Sequence, residues 1–293
     1  MMIVDTHVHV WDLDRAEYPW LQKDTSILNK TWPIEHLNDE RNKAGITSGI
    51  LVQASGNFED TDLMLETAQK TEWISGTVCW LPLMNTEATQ SLLEERYLKN
   101  KYFKGVRHQI HDENDPKWLL QPAVIESLKI VAAYDIPYDV VAVLTTHIET
   151  ALNVAEQIPG LRMVFDHLSQ PPIAKNEKFG RWGELMKEAS QHKNFYAKIS
   201  GLGTASGNFQ NRKAGDIKPY VEFALKHFSI DRCFCGSDWP VSLLADSYAG
   251  TWQTYKNILQ EFLSEKEQGN VFYSNAQKFY NLQISYGNLL LRN

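Results

Sequence analysis

The chain has 293 residues, with 29 lysines and arginines against 36 aspartates and glutamates, and therefore a formal net charge of −7. Hydrophobic residues make up 43% and charged residues 22% of the chain, which is typical of a globular protein and excludes the disordered and low-complexity classes. The net negative charge argues against binding to nucleic acid or to an anionic membrane surface.

Cysteine content and hydropathy indicate the compartment. Three cysteines are too few for a disulfide framework, and an odd number cannot pair completely within one chain. The first residues include an acid and two histidines, where a signal peptide needs an apolar stretch. No run reaches the ~18 apolar residues of a membrane-spanning helix. We therefore expect a cytoplasmic protein in a reducing environment.

Eight short apolar, β-branched segments predict strands, and longer segments of helical periodicity lie between them. The predicted strands cover residues 3–9, 49–53, 75–80, 103–110, 138–144, 162–166, 195–200 and 232–237. The predicted helices include residues 60–70, 122–134, 146–157, 181–191, 219–227 and 250–263, with a closing helix around 275–280. Such alternation predicts a (β/α)₈ TIM barrel, with residues 1–293 as one domain. The alternative, an open doubly wound sheet, lacks a glycine-rich fingerprint after any strand.

The active site of such a barrel lies at the carboxyl ends of its strands. The first predicted strand carries Asp5, His7 and His9 there, and a period of two predicts that all three share one face. Two imidazoles at this spacing can converge on one ion or water. A lone H-x-H pair also fits a structural role.

Further strand ends add candidates. Arg107 and His108 end the fourth strand, His167 follows the sixth, and Asp238 follows the eighth. Asp238 alone could cap the next helix, since aspartate is favoured at that position. Taken together, three histidines and a carboxylate match the ligands of Zn²⁺ or a similar ion.

These motifs resemble a known family. D-T-H-V-H at 5–9, D-H-L at 166–168 and G-S-D-W-P at 236–240 are similar to the amidohydrolase superfamily, in its amidohydrolase 2 branch of TIM-barrel hydrolases. K-G-V-R-H at 104–108 and K-I-S-G-L at 198–202 resemble the sugar-acid lactonases of that branch, especially L-fuconolactonases and L-rhamnonolactonases. The resemblance implies a hydrolase that opens a sugar-acid lactone, with that small molecule as its partner.

The resemblance also implies roles for the strand-end residues. His7, His9, His167 and Asp238 match metal ligands, and His167 and Asp238 also match catalytic residues. Asp238 corresponds to the base that activates water. One divalent ion is implied, with zinc favoured, although some lactonases of the branch do not depend on a metal.

A second set corresponds to substrate contacts. Arg107 and His108 match a catalytic pair that meets the substrate carbonyl or carboxylate. Gln53 matches a polar residue at the end of strand two, and Trp11 matches an aromatic residue near the ligand. Gln170 stands where relatives often have lysine, so the role of that position stays open.

Departures from the family pattern bear on the metal and the reaction. Members with two metals use a bridging lysine or glutamate late on strand four or five, where this chain reads R-H-Q at 107–109 and Y-D-V-V at 138–141. This difference argues against a two-metal site. A decarboxylase or an amide or imide hydrolase of the same branch remains an alternative, as does a non-catalytic sugar-acid binding barrel. The sugar stereochemistry and the oligomeric state stay open.

Overall fold

A computed structural model describes residues 1–175, 178–206 and 214–283. Eight parallel strands follow one another in chain order around a barrel, which confirms the predicted (β/α)₈ fold. Each observed strand overlaps its predicted segment. The strands are β1 (Val4–Val8), β2 (Ser48–Val52), β3 (Ile74–Cys79), β4 (Phe103–His108), β5 (Tyr138–Val140), β6 (Met163–Phe165), β7 (Phe195–Ile199) and β8 (Cys233–Cys235).

Helices lie between the strands and follow the last one. They are α1 (Asn38–Ala44), α2 (Phe58–Lys70), α3 (Thr86–Leu92), α4 (Pro122–Ala133), α5 (Thr145–Gln157), α6 (Gly180–Ala189), α7 (Leu202–Ala205), α8 (Ala214–Phe228), α9 (Tyr248–Phe262), α10 (Glu265–Gly269) and α11 (Asn275–Phe279). Asn57 and Ser247 are the N-cap residues of α2 and α9, where each side-chain oxygen accepts a hydrogen bond from a backbone N–H of the first turn. Among the described residues, no helix combines the length and apolarity needed to cross a bilayer.

Residues just beyond β8 close the barrel against β1. The Asp238 N–H donates to the His7 carbonyl at 2.8 Å, and the His9 N–H donates to the Trp239 carbonyl at 2.7 Å. These two hydrogen bonds hold the carboxyl ends of the first and last strands side by side. They therefore bring together residues that are about 230 positions apart in sequence.

Apolar side chains fill the amino-terminal end of the barrel interior. Val4, Ile50, Val78 and Phe234 form a cluster with Tyr280, which follows α11. A second, larger cluster lies between the strands and the surrounding helices. This packing gives the barrel a closed floor, so functional side chains are presented at the opposite end.

The fifth strand is shorter than predicted. It ends at Val140, whereas the prediction extended it to residue 144. Val143 and Leu144 are 43% and 52% exposed in the connection to α5, so their apolar character does not reflect strand burial. His147 lies in the first turn of α5, where its Nδ1 faces the N–H groups of Val143 and Leu144 at 3.2 and 3.3 Å.

Candidate active site

Four of the predicted site residues converge at the carboxyl end of the barrel. The Nε2 atoms of His7 and His9 lie 3.1 Å apart, and Asp238 Oδ1 lies 3.8 Å from the first and 3.4 Å from the second. His167 Nε2 lies 3.9 Å from the same carboxylate oxygen. All four residues are buried, with exposures of 0–6%. The structure thus brings three histidines and one carboxylate to a common point.

An irregularity in β1 sets which of its residues face this point. The pairing register with β2 shifts between Asp5 and Val8. The Asp5 carboxylate accepts hydrogen bonds from the Ser237 backbone N–H and from the Tyr248 hydroxyl of α9, both at 2.8 Å. The prediction that Asp5 shares a face with the histidines was therefore wrong, because a bulge interrupts the simple alternation.

Left-handed backbone conformations orient the side chains of His167 and Asp238. His167 has φ 54° and Asp238 has φ 65°, a region that non-glycine residues seldom adopt. Gly201, also at positive φ, leaves them room: a Cβ there would lie 2.6 Å from His167 Nδ1 and 2.9 Å from Asp238 Oδ2. The helix-cap alternative for Asp238 is not supported, because its side chain caps no following turn and only its main-chain carbonyl accepts, from Ser242 N–H.

Hydrogen bonding fixes the tautomer of His9. Its Nδ1 lies 2.7 Å from the Val52 carbonyl, which can only accept, so the proton is on Nδ1 and Nε2 carries a lone pair. Cationic donors face both ring nitrogens of His7, with Arg107 Nη1 3.1 Å from Nε2 and Lys198 Nζ 3.4 Å from Nδ1. The unprotonated Nε2 of His9 lies 3.1 Å from His7 Nε2, beside a carboxylate.

This geometry fits a bound cation. Ligand atoms ~2.1 Å from a tetrahedral zinc ion are separated by about 3.4 Å, and the separations among His7 Nε2, His9 Nε2 and Asp238 Oδ1 range from 3.1 to 3.8 Å. His7, His9 and Asp238 form one group that could hold an ion, and His7, Asp166 and His167 form an overlapping one.

Burial shifts the pKa values of the groups at this point. It lowers the pKa of His7 well below its ordinary value and that of His9 to about 3, so both imidazoles are neutral. Burial also raises the pKa of Asp238 to about 6. This carboxylate is thus more basic than an ordinary aspartate while remaining ionised at neutral pH.

Arg107 is held rigidly at the edge of the site. Its Nε donates to Gln53 Oε1 at 3.2 Å, its Nη2 donates to the Gln53 carbonyl at 2.5 Å, and its Nη1 donates to Asp166 Oδ2 at 3.0 Å. The side chain is 4% exposed. The side-chain amide of Gln53 also donates to Gln109, so Gln53 orients its neighbours instead of lining the cavity.

A cavity of about 310 Å³ opens above the four converging residues. Arg107 contributes to its wall. Its lining includes the apolar side chains of Trp20 and Val141 and the polar side chains of Gln109 and Gln170. The volume is at the lower end of the range for small-molecule sites, which run from ~300 to 1,000 Å³.

Besides Gln53, two further residues predicted to bind substrate lie outside the cavity. Trp11 is 1% exposed, donates to the Lys30 carbonyl at 2.6 Å and packs against Trp20, which reaches the cavity in its place. His108 follows Arg107 on β4, and neighbouring strand residues point to opposite faces. The two ring nitrogens of His108 accordingly contact Trp80 at 3.2 Å and Glu113 at 2.7 Å, outside the cavity.

Charged residues beneath the site were missed by the sequence reasoning. Lys198 on β7 and Asp139 on β5 are completely buried, as is Asp166 directly after β6. Lys198 Nζ lies 2.5 Å from Asp139 Oδ2 and 2.8 Å from Asp166 Oδ1. The available signal was a lysine and an aspartate in the middle of otherwise apolar parallel strands, where an unpaired charge is unfavourable.

Comparisons with known proteins agree with this geometry. The family described as Amidohydrolase matches residues 4–282. An L-fucono-1,5-lactonase from Burkholderia ambifaria is 28% identical over 97% of both chains, and one from Burkholderia multivorans is 26% identical over 95% of this chain and 96% of that one. A crystal structure of a Burkholderia multivorans amidohydrolase with bound zinc superposes with a TM-score of 0.87, at 26% identity over 97% of this chain and 100% of that one.

Proposed function

The chain belongs to the amidohydrolase family, and from that premise we propose that it is a lactonase that hydrolyses the cyclic ester of a sugar acid. The observation that carries this proposal is the convergence of one carboxylate and three histidines beneath a small cavity. The relatives named L-fucono-1,5-lactonase match nearly the whole chain and support an aldonolactone substrate, such as L-fucono- or L-rhamnonolactone.

Asp238 is the proposed general base. Its pKa of about 6, raised by burial, leaves it ionised at neutral pH and able to take a proton from water. The water oxygen then bonds to the lactone carbonyl carbon, the ring C–O bond breaks, and the proton passes to the leaving oxygen. His167 Nε2, 3.9 Å from the carboxylate, is placed to orient Asp238 during this transfer. A positioned base typically contributes 10²–10⁴-fold to the rate.

Arg107 is the proposed partner of the carbonyl oxygen. Its guanidinium lies in the cavity wall and is already fixed by Gln53 and Asp166, so little reorganisation is needed when negative charge develops. The polar side chains of Gln109 and Gln170 are placed to meet sugar hydroxyls. Trp20 contributes an apolar surface to the cavity lining.

We further propose that His7, His9, His167 and Asp238 hold one divalent ion, with zinc the first choice. The convergence of His7 Nε2, His9 Nε2 and Asp238 Oδ1 supports it, and a structural relative contains zinc. An ion at this point would act as a Lewis acid toward the ester carbonyl.

The proposed location is the cytoplasm. All three cysteines of the chain are free and buried, and free thiols are typical of reducing compartments. Burial raises the pKa of Cys79 and of Cys233 to about 12, so neither is poised as a nucleophile. The proposed reaction therefore assigns no catalytic role to a cysteine thiol.

A pH-indicator screen of aldonolactones, run with and without a chelator, tests the function. Ring opening releases a proton at neutral pH, so a lactonase acidifies the assay faster than spontaneous hydrolysis does. Parallel assays for amide cleavage and for CO₂ release from a panel of acids cover the amide or imide hydrolase and the decarboxylase. Turnover confined to either of those assays would reject the lactonase proposal.

A further inference from the structure

The loop after β4 contributes two polar residues to the cavity. Gln109 and His111 both line it, whereas Ile110 between them is 2% exposed and belongs to the hydrophobic core. The buried Ile110 anchors this segment, and a polar side chain stands on either side of the anchor. These two polar side chains lie beyond the group of three histidines and Asp238, so they have no part in the proposed proton transfer.

A series of hydrogen bonds fixes which end of the Gln109 amide is available. Arg107 Nε can only donate, so Gln53 Oε1 is the acceptor of their 3.2 Å hydrogen bond and Gln53 presents its Nε2 elsewhere. That Nε2 donates to Gln109 Oε1 at 3.1 Å. Within the described chain, the amide nitrogen of Gln109 has no hydrogen-bond partner. Gln109 therefore offers two N–H donors to a ligand.

His111 offers both a donor and an acceptor. Burial lowers the pKa of His111, so its ring is neutral at pH 7 and carries one N–H and one lone pair. Asp112 Oδ1 lies 3.6 Å from its Nε2, which is beyond hydrogen-bonding distance. Neither ring nitrogen of His111 has a hydrogen-bond partner in the part of the chain that the structure describes.

The side chain of His108 ties the two ends of this segment together. Trp80 Nε1 can only donate, so His108 Nδ1 accepts at 3.2 Å and the ring proton is on Nε2, which donates to Glu113 Oε1 at 2.7 Å. The His108 ring also stacks on Trp118, with 3.9 Å between the ring centroids and 8° between the planes. The short loop that carries Gln109 and His111 is thus ordered before a ligand binds, which lowers the entropic cost of binding.

We propose that Gln109 and His111 form a subsite that binds hydroxyl groups on the substrate ring and selects polyhydroxylated lactones over lactones without hydroxyl groups. A hydroxyl group both donates and accepts, which matches the donors of Gln109 and the donor and acceptor of His111. Neither side chain is charged, so the subsite suits neutral hydroxyls better than a second carboxylate. A lactone without hydroxyls would leave these polar groups unpaired, and such a site discriminates strongly. The inference rests on the proposed function, because it concerns the same cavity.

Two variants that preserve shape test the subsite. His111→Phe keeps a ring but removes both nitrogens, and Gln109→Leu removes the amide at similar volume. His192→Phe is the matched control, because it makes the same ring change before β7, at the opposite end of the barrel. Melting curves of all three variants report on folding.

Steady-state kinetics compare the best aldonolactone of the pH-indicator screen with δ-valerolactone, which has no hydroxyl group. For the aldonolactone, each site variant should lower kcat/KM about 10-fold, mainly by raising KM, which corresponds to about 1.4 kcal/mol and the loss of about one hydrogen bond. For δ-valerolactone, kcat/KM should stay close to that of the wild type. His192→Phe should match the wild type on both lactones.

A binding measurement reports on the subsite without turnover. In the Asp238→Asn protein, the side-chain ¹H–¹⁵N signals of Gln109 and His111 are assigned by their loss in the two site variants. We expect both signals to shift when the aldonolactone is titrated in and to stay in place with δ-valerolactone.

Two results would overturn the subsite. One is an equal loss of kcat/KM on both lactones in His111→Phe, as a general packing defect would cause. The other is a saturating aldonolactone that moves neither side-chain signal. Failure of the subsite would leave lactone turnover by the wild type intact. Absence of that turnover in the wild type would instead reject the proposed function, and the subsite with it.

Discussion

Single residues at the site occupy backbone conformations that cost free energy. Residues from His167 to Gln170 run at positive φ, and Asp238 does so as well, although none of them is glycine. Such conformations cost of order 1–3 kcal/mol each and persist where the surrounding packing determines them. Here the strain turns the His167 ring and the Asp238 carboxylate toward each other. The backbone strain therefore accompanies the convergence on which the proposed chemistry depends.

The first prediction concerns Asp238. Asp238→Asn keeps the shape of the side chain and one acceptor oxygen but removes its basicity. We expect kcat for lactone hydrolysis to fall at least ~10²-fold, equivalent to about 2.7 kcal/mol, while thermal unfolding stays nearly unchanged. Steady-state kinetics and a melting curve measure both effects. Turnover near that of the wild type by the folded variant would remove Asp238 as the base.

A second prediction concerns Gly201. A methyl group at this position would lie 2.6 Å from His167 Nδ1 and 2.9 Å from Asp238 Oδ2, at a backbone φ of +58°. Gly201→Ala should therefore displace both side chains and lower kcat/KM at least ~10²-fold, since misplacing reacting groups by about 1 Å costs that much. The matched control is Gly160→Ala, because a Cβ there meets nothing within 4 Å. Equal activities of the two variants would contradict the tight packing around Gly201.

At the scale of elements, the buried carboxylate of Asp60 anchors the long loop after β1 to the β2–α2 connection. Asp60 Oδ2 accepts from the N–H groups of Ala54 and Ser55 at 3.0 and 3.3 Å, and Oδ1 accepts from the Tyr18 hydroxyl at 3.0 Å. Trp20 in turn donates to the Ala54 carbonyl at 2.9 Å. The long loop after β1 is thereby fixed over the barrel mouth, which places Trp20 in the cavity wall.

This anchor predicts a specific pH dependence of stability. Burial raises the pKa of Asp60 from 3.8 to about 7, so the folded state binds this proton more tightly than the unfolded state. The contribution of Asp60 to the free energy of unfolding is therefore greatest at low pH and is lost as pH rises toward and through 7. Asp60→Asn removes this titration while keeping an acceptor for the two N–H groups.

Denaturant unfolding at several pH values measures the effect. Relative to Asp60→Asn, the wild type should lose at least about 1 kcal/mol between pH 5 and 8, the free energy of roughly one pKa unit. Glu59→Gln, exposed on the same turn of α2, is the control and should run parallel to the wild type. A constant difference between the wild type and Asp60→Asn at all pH values would show that Asp60 titrates normally.

At the scale of the whole molecule, the proposed metal site joins distant parts of the barrel. Its residues lie on or just after β1, β6 and β8, and the closing hydrogen bonds between the ends of β1 and β8 lie among them. An ion bound there holds these strand ends together only in the folded state. Metal binding should therefore stabilise the complete barrel and not one local segment.

The corresponding prediction is a metal-dependent melting temperature. Zinc at 100 times its dissociation constant adds about 2.7 kcal/mol, which for a chain of this size raises Tm by about 4 °C, and a chelator should reverse the shift. His9→Ala should abolish most of the shift, whereas His36→Ala, an exposed histidine outside the site, should retain it. A Tm that does not respond to zinc in the wild type would reject the metal site.

The sequence by itself determined the elements and much of the candidate site. Apolar β-branched segments are local signals of buried parallel strands, so all eight strands were predicted, and the strand-end rule singled out His7, His9, His167 and Asp238. The local sequence pattern predicted the wrong structure where tertiary contacts determine the conformation. Val143 and Leu144 resemble strand residues in the sequence but lie exposed in the connection to α5.

Only the tertiary structure decided which side chains share the cavity and which support it. A register shift in β1 turns Asp5 away from the histidines, and a tryptophan nine residues beyond Trp11 reaches the cavity in its place. Lys198 and Asp139 form an ion pair although 59 positions separate them. A buried charge in an apolar strand is unfavourable unless an oppositely charged side chain compensates it. That partner lies on another strand, and barrel closure, not local sequence, sets the distance between them.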